Sequence, residues 1–173
     1  YVGIMTVVNS IREVLSMPVR GLTNGAQPVI GYNYGAGEYK RVKSCIKFMT
    51  IVSVVYNSAM WLMIQSFPAF FIRIFNDEAQ TLKAGIPMIR LFYACYFFMS
   101  LQASGQSTFV AMGKSKQAVL FSMFRKVVLV IPLVVLLPRL FGLGTAGVFL
   151  AEPISEVIGG TACYITMLIT VRK

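Results

Sequence analysis

The sequence predicts an all-α fold, a polytopic transmembrane helix bundle with about five spans. Hydrophobic residues make up 57% of the 173 residues and charged residues 13%, with a mean hydropathy of +0.72. Soluble domains of this size carry about 25% charged residues. Long apolar stretches recur, each close to the roughly 20 residues that a helix needs to cross a hydrocarbon core about 30 Å thick. The predicted spans cover roughly residues 2–36, 44–72, 84–112, 117–138 and 145–171.

The first span is the most polar of the five. Its start at residues 2–8 is apolar, but Asn9, Arg12, Glu13, Arg20, Asn24 and Gln27 follow. A helix with this many polar side chains does not face lipid all round, so we expect it to line a water-filled cavity or to pack against other helices. For Arg12 and Glu13, the alternative interpretation is that they pair locally or extend their charged ends to the membrane interface.

The boundaries of the later spans have local signals. Asn76, Asp77 and Glu78 are capping and acidic residues ahead of the third span, where the helix dipole favours negative charge. Gly113 predicts a tight turn before the fourth span, and glycines including Gly142 surround the turn before the fifth. Pro132 lies inside the fourth span and predicts a kink there.

Polar residues also occur at membrane depth in the third span. Gln102 and Gln106 are four residues apart, so they share one helix face. The small residues Ala103, Ser104 and Gly105 between them allow another helix to approach closely. The aromatic run from Phe92 to Phe98 offers stacking surfaces for flat organic cations, or it is packing and lipid-facing material.

Four charged residues lie within the last two spans: Arg125, its neighbour Lys126, Glu152 and Glu156. Glu152 and Glu156 share one face of the fifth span, and Arg125 lies near the middle of the fourth. A charge at this depth is costly unless it is paired or hydrated, so we predict an Arg125–Glu156 ion pair between adjacent helices. Two interpretations remain open: the pair is a static structural contact, or one carboxylate carries a proton or a cation during transport.

Composition excludes several other classes of function. The chain has no histidine, and its three cysteines have no metal-ligand spacing, so we expect neither a metal centre nor enzymatic catalysis. The net charge of +10 does not indicate nucleic acid, because the basic residues lie at the ends of apolar spans. An anionic lipid bilayer is the partner that fits them.

The basic segments also predict the orientation in the membrane. Residues 37–47 and 114–116 and the C-terminus are basic, whereas the segments that alternate with them are nearly neutral. By the positive-inside rule, the basic segments and the C-terminus are cytoplasmic. Five spans then place Tyr1 outside, and we expect further helices upstream.

Four motifs resemble multidrug and toxic compound extrusion (MATE) transporters. Met17-Pro18 and residues 21–37, GLTNGAQPVIGYNYGAG, followed by the basic YKRV at 39–42, resemble the end of a helix at the start of a repeat half. Residues 106–114, QSTFVAMGK, resemble the end of the family's tenth helix. Phe124-Arg125 with Ile131-Pro132 is similar to the eleventh, and residues 150–156, LAEPISE, to the start of the twelfth in the bacterial drug-efflux branch.

The resemblance implies a twelve-helix transporter of two six-helix lobes around a central cavity. It further implies export of cationic, lipophilic drugs in exchange for Na⁺ or H⁺ by alternating access, in the cell (plasma or inner) membrane and without a cofactor. Residues 1–173 then correspond to the C-terminal lobe, helices eight to twelve. The partners implied are the missing N-terminal lobe and seventh helix of the same polypeptide, small organic cations as substrates, and lipid.

One departure from the family affects the predicted ion site. Many relatives carry a carboxylate in the tenth helix, but residues 88–112 contain no Asp or Glu. The candidates for substrate or cation binding are therefore Glu13, Gln27, Asn33, Gln102, Gln106, Glu152 and Glu156. Two alternative functions stay open, a flippase for lipid-linked oligosaccharide or polysaccharide of the same superfamily and a membrane scaffold that does not transport.

Overall fold

The backbone is helical with short turns throughout the residues that the structure describes. The computed structural model describes residues 2–75, 79–140 and 144–172. Its helices are α1 (Val2–Gly35), α2 (Tyr39–Ser66), α3 (Pro68–Arg73), α4 (Ala79–Phe92), α5 (Phe98–Ala111), α6 (Ser115–Met123), a π-helical segment (Phe124–Val130), α7 (Ile131–Leu140) and α8 (Gly144–Arg172). The predicted all-α fold is confirmed.

Three helices in the described ranges are long and apolar enough to cross a membrane, fewer than the five predicted. They are Tyr39–Ser66, Ser115–Pro138 and Ala146–Val171. The first predicted span forms the 34-residue α1, but Arg12, Glu13 and Arg20 interrupt its apolar character. The third predicted span is divided between α4 and α5, which have 14 residues each and are individually shorter than the roughly 20 residues that one spanning helix needs.

The second predicted span, 44–72, is two helices rather than one. It starts earlier, at Tyr39, and α2 ends at Ser66, so that only Phe67 lies between it and the start of α3 at Pro68. Proline disfavours helical geometry in the residue before it, and Phe67 has φ −127° and ψ 55°. The short α3 therefore runs separately, with Pro68 at its first position.

The third predicted span, 84–112, changes its winding at residues 93–97. Backbone N–H groups there bond three residues back instead of four, as from Tyr96 to Tyr93 at 3.1 Å and from Phe98 to Cys95 at 2.9 Å. In this tighter winding, side chains at i and i+3 eclipse. Tyr93 and Tyr96 consequently turn to the same side, where both are buried with ring centroids 5.0 Å apart.

The fourth predicted span, 117–138, is one helical run with a wider middle. The π-helical segment occupies Phe124–Val130, immediately before Ile131 and Pro132. Pro132 has no N–H, so it cannot continue the ladder of backbone hydrogen bonds, and a wider turn accommodates the interruption. Arg125 lies in this widened segment and is 5% exposed.

Two apolar cores lie at opposite ends of the bundle. The first core contains Ile4, Val8, Ile11, Ile64, Phe71, Ile72, Ile89, Phe92, Tyr93, Tyr96 and Phe149. The second contains Ile30, Val42, Ile46, Met49, Phe109, Met112, Ala118, Cys163, Met167 and Val171. Between them, α1, α2, α5, the π-helical segment and α8 all bury polar side chains, which we call the polar layer: Ser16, Thr23, Thr50, Ser53, Asn57, Ser100, Gln102, Ser104, Ser107, Arg125, Ser155 and Glu156.

The predicted boundary signals fall partly within the described chain. Gly113 has φ +73°, which suits glycine, and it forms the predicted turn between α5 and α6. The predicted cap at residues 76–78, the turn at Gly142 and the terminal Lys173 lie outside the described residues.

Candidate functional site

Two arginines and two glutamates meet inside the polar layer, and we call Arg12, Arg125, Glu152 and Glu156 the charge cluster. Arg12 Nη1 donates to Glu152 Oε1 at 2.9 Å, and Arg125 Nη2 donates to Glu152 Oε2 at 2.6 Å. Glu156 Oε1 lies 3.4 Å from Arg125 Nη2 and 3.9 Å from Arg12 Nη2. The predicted Arg125–Glu156 contact is thus one part of a larger network that joins α1, the π-helical segment and α8.

Polar side chains of two helices hold Arg125 in place. Its Nη1 donates to Gln102 Oε1 of α5 at 2.7 Å, and its Nε donates to Ser155 Oγ of α8 at 3.3 Å. Gly159 provides the room, because a Cβ at that position would lie 3.0 Å from Arg125 Cγ. Arg12 is positioned from another side by Phe92, whose ring centroid is 5.8 Å from the guanidinium carbon.

The two glutamates of the charge cluster have different surroundings. Each Glu152 oxygen accepts a short hydrogen bond from an arginine, and its side chain is 15% exposed beside a cavity. The Glu156 side chain is only 3% exposed, and its contacts with the arginines are longer. Its Oε2 has no hydrogen-bond partner within the described part of the chain.

A cavity of about 450 Å³ adjoins the charge cluster. Side chains of α1, α5, α6, the π-helical segment and α8 line it, and most of the polar ones carry amides or charges. Its charged residues are Arg12, Glu13, Arg20, Arg125, Lys126 and Glu152. A site with this lining can bind a molecule through charge and hydrogen bonds without any covalent chemistry.

The structure brings together most of the predicted binding residues. Glu13, Gln27, Gln102, Gln106 and Glu152 all line the cavity. Glu156 lies buried beside Glu152, one helical turn further along α8.

Asn33 lies apart from the other candidates and is not among the residues that line the cavity. Its Nδ2 donates to the carbonyl oxygen of Val29 on its own helix at 2.7 Å. Asn33, predicted as a binding candidate, therefore lies away from this cavity. Its position near the end of α1 is beyond the polar layer, past the buried Ile30 of the second core.

Arg12 was not among the predicted binding residues, and it does not pair locally with Glu13. Arg12 reaches across to Glu152, whereas Glu13 pairs with Arg20 at 3.0 Å on the cavity side, where both side chains are more than half exposed. The spacing of the sequence indicates the inward direction of Arg12. Positions 4, 8, 12 and 16 share one face of the helix, and Ile4, Val8 and Ser16 on that face are buried.

No group of three or more His, Cys, Asp or Glu side chains that could hold a metal ion occurs in the described ranges. Within the charge cluster, both carboxylates already face guanidinium groups. The arrangement can hold buried charge and exchange hydrogen-bond partners.

The sequence matches the MatE family model over residues 1–136, which is most of the chain. The chain belongs to the MATE family. The FAD transporter of Shewanella oneidensis is 23% identical over 154 residues, which is 89% of this chain and 34% of that protein. The MATE multidrug transporter DinF-BH, whose structure was solved as a complex, is 29% identical, with a TM-score of 0.84 over 97% of this chain and 37% of its own.

The MATE fold is also shared with a more distant structure. A MATE transporter in a bent conformation superposes with a TM-score of 0.93 at 15% identity, over 99% of this chain and 38% of its own. The chain thus spans between a third and two-fifths of the length of the relatives that it matches. It is part of a multi-pass membrane transporter fold, and its family is non-enzymatic and generally ion-coupled.

Proposed function

We propose that the chain forms the C-terminal lobe of an antiporter that exports cationic, lipophilic compounds in exchange for Na⁺ or H⁺. The observation that carries this proposal is the position of the cavity. It lies in the polar layer, between two apolar cores at the ends of the bundle, and it opens beside a buried charge cluster. Substrate and ion sites at mid-membrane depth are typical of secondary transporters.

In this proposal, residues 1–173 form helices eight to twelve of a twelve-helix transporter. The N-terminal lobe and the seventh helix, elsewhere in the same polypeptide, supply the facing wall of the cavity. The two lobes rock about the cavity, which opens alternately to either side of the membrane. The charge cluster ties α1, the π-helical segment and α8 together, so it moves with this lobe as a unit.

Glu13 is the carboxylate best placed to receive an organic cation. Its side chain is 60% exposed at the cavity, and its partner Arg20 is 57% exposed. Exposed ion pairs of this kind contribute about 1 kcal/mol or less, so a cationic substrate can displace Arg20. The amides of Gln27 and Gln106 offer hydrogen bonds beside it. The likeness to DinF-BH, a multidrug transporter, supports a drug-like substrate.

A second candidate is export of an anionic, phosphate-bearing substrate. The cavity contains four basic side chains, Arg12, Arg20, Arg125 and Lys126, against the acids Glu13 and Glu152. Guanidinium groups bind phosphate oxygens well. The likeness to an FAD transporter favours the same class, and a flippase for lipid-linked saccharides would need a similar cavity.

Transport by the full-length protein in sealed vesicles tests both candidates. Vesicles are loaded with a fluorescent organic cation or with FAD, and a Na⁺ gradient or a pH gradient is imposed separately. Movement of the cation that depends on one gradient supports the antiporter and identifies its ion. Movement of FAD alone favours the anionic candidate. If neither the cation nor FAD moves, drug export and export of a soluble phosphate-bearing substrate are both contradicted. The remaining functions are then the flippase for a lipid-linked saccharide and the membrane scaffold.

Within the antiporter, Glu13→Gln is expected to raise the substrate concentration for half-maximal efflux of the cation by up to about fivefold. The lost interaction is between partly solvated charges and contributes about 1 kcal/mol or less, which corresponds to a factor of about five. Glu38→Gln is the matched control, because Glu38 is exposed at the start of α2 and makes no side-chain cap. Equal effects of the two substitutions would contradict the role of Glu13.

A further inference from the structure

Glu156 is the least well neutralised member of the charge cluster. Its Oε1 is 3.4 Å and 3.9 Å from the two arginines, while Glu152 takes the two short hydrogen bonds of 2.6 Å and 2.9 Å. The second oxygen of Glu156 is buried without a partner among the described residues. A buried carboxylate with one unsatisfied oxygen gains more from taking up a proton than one with two charged donors.

The helices packed around Glu156 contribute few charged side chains. α5, which packs most extensively on α8, has no titratable side chain, and Lys83 and Arg90 on α4 and Lys126 in the π-helical segment are exposed. The chargeable side chains that face Glu156 are Arg12, Arg125, Glu152, Tyr93, Cys95 and Tyr96. Two cations and one other carboxylate therefore set its charge state, with neutral phenols and a thiol around them.

We propose that Glu156 is the proton-binding site of this lobe and that Glu152 stays ionised beside it. The proton enters from the cavity, which Glu152 lines, and binds the free Oε2 of Glu156; it leaves by the same cavity when the transporter faces the other side. This inference rests on the proposed antiporter and selects H⁺ between the two coupling ions.

The charge cluster explains how a proton and an organic cation exclude one another. With Glu156 ionised, two arginines face two carboxylates and the cluster is neutral. With Glu156 protonated, one positive charge is left over at the cavity wall, and it repels a cationic substrate. The mutual exclusion is reciprocal, as linkage between two ligands requires, and reciprocal exclusion of this kind is what antiport needs.

The same geometry disfavours Na⁺ at this site. A sodium ion bound to either carboxylate would lie next to the guanidinium groups of Arg12 and Arg125, which occupy the available oxygens of Glu152. A proton adds no such steric demand, because it binds covalently to Oε2 of Glu156.

Infrared difference spectroscopy of the purified full-length transporter, recorded between high and low pH, tests the site without any substrate. We expect the C=O stretching band of a protonated carboxyl group, lost in Glu156→Gln but retained in Glu38→Gln. In Glu152→Gln the midpoint of the band should move to lower pH, because Arg12 and Arg125 then face Glu156 alone. Persistence of the band in Glu156→Gln, or its loss in Glu38→Gln, would overturn the assignment. If Glu156→Gln does not fold, Glu156→Asp is used, and a shifted midpoint of the band supports the site whereas an unchanged midpoint overturns it.

Vesicle transport then tests the coupling. In Glu156→Gln, accumulation driven by a pH gradient is expected to fall about tenfold or more, while exchange of labelled for unlabelled substrate without a gradient continues. Retained pH-driven accumulation would overturn the coupling role and leave the antiporter intact. If the wild type exchanges no organic cation, the proposed function fails, whereas the infrared result still decides where the proton binds.

Discussion

Arg12 and Arg20 lie on the same helix and each forms an ion pair, but their surroundings differ. The Arg12 side chain is 14% exposed and faces Glu152 and Glu156, whereas Arg20 is 57% exposed and faces Glu13. Removing one partner of a buried pair leaves an uncompensated charge. We expect Arg12→Ala to lower the free energy of unfolding by about 3 kcal/mol and Arg20→Ala by less than about 1 kcal/mol.

Unfolding of the detergent-solubilised full-length protein in a denaturant titration measures both values. Arg20→Ala is the matched control for loss of an arginine from α1. Equal destabilisation by the two substitutions would show that the buried network adds no stability of its own.

Gln102 and Gln106 provide a second comparison at this scale. Gln102 is buried and accepts a hydrogen bond from Arg125 at 2.7 Å, whereas Gln106 is half-buried at the cavity. We expect Gln102→Leu to cost about 1 to 2 kcal/mol of stability, because the charged donor loses its acceptor. Gln106→Leu should cost less and should change substrate affinity instead. The opposite order in the same denaturant titration and a substrate-binding assay would contradict these roles.

The ionised residues also show how far the sequence predicts a site. The depth of Arg125 and the shared face of Glu152 and Glu156 followed from helix periodicity. The choice of partner did not, because whether Arg125 takes Glu152 or Glu156 depends on one turn of α8 and on the space left by Gly159. For Arg12 the sequence left two interpretations open, and the local pair with Glu13 is not the one formed, because adjacent residues on a helix point in different directions.

At the scale of the helices, close packing of α5 on α8 depends on residues without side chains. A Cβ at Gly160 would lie 2.9 Å from the carbonyl oxygen of Phe98, and one at Gly105 would lie 2.9 Å from Cys163 Sγ. The backbone oxygen cannot rotate aside, whereas the sulfur can. We therefore expect Gly160→Ala to destabilise the protein by about 1 to 3 kcal/mol and Gly105→Ala by less.

Gly35→Ala is the control for the glycine series, because nothing lies within 4 Å of a Cβ at that position. Thermal unfolding of the three variants in detergent measures the order. A midpoint for Gly160→Ala equal to that of Gly35→Ala would contradict the close contact between the two helices.

Helix breaks were less predictable than helix existence. The small residues at 103–105 predicted the close approach of another helix correctly. Pro132 predicted a kink, and the structure has a π-helical segment shortly before it, which the sequence did not predict. The tighter winding at residues 93–97 could not be predicted, because this segment contains no glycine or proline. It results from tertiary packing, since Tyr93 also donates from its hydroxyl to the Val8 carbonyl oxygen at 3.1 Å and is drawn into the first core.

For the whole molecule, the location of the basic residues at one end of the bundle predicts the orientation in the membrane. The turns between α1 and α2 and between α5 and α6 lie at the end of the bundle that holds the second core, as does Val171 near the end of α8. The basic residues Lys40, Arg41, Lys43, Lys47, Lys114 and Lys116 belong to this same end. We expect this end to be cytoplasmic, because short basic segments are retained on that side and attract anionic lipid there.

Single cysteines in the full-length protein test this orientation. With every native cysteine replaced, including Cys45, Cys95 and Cys163, Lys43→Cys is expected to react with a membrane-impermeant thiol reagent only in inverted vesicles. Lys83→Cys, on the exposed side of α4 towards the first core, is expected to react only in intact cells. The reverse pattern would show that the lobe has the opposite orientation, with the end that holds the first core on the cytoplasmic side. We expect the positive charge at the basic end to set the orientation in the membrane. Replacing Lys40, Arg41 and Lys47 by Gln should therefore weaken the preference for one orientation, measured by the same cysteine labelling.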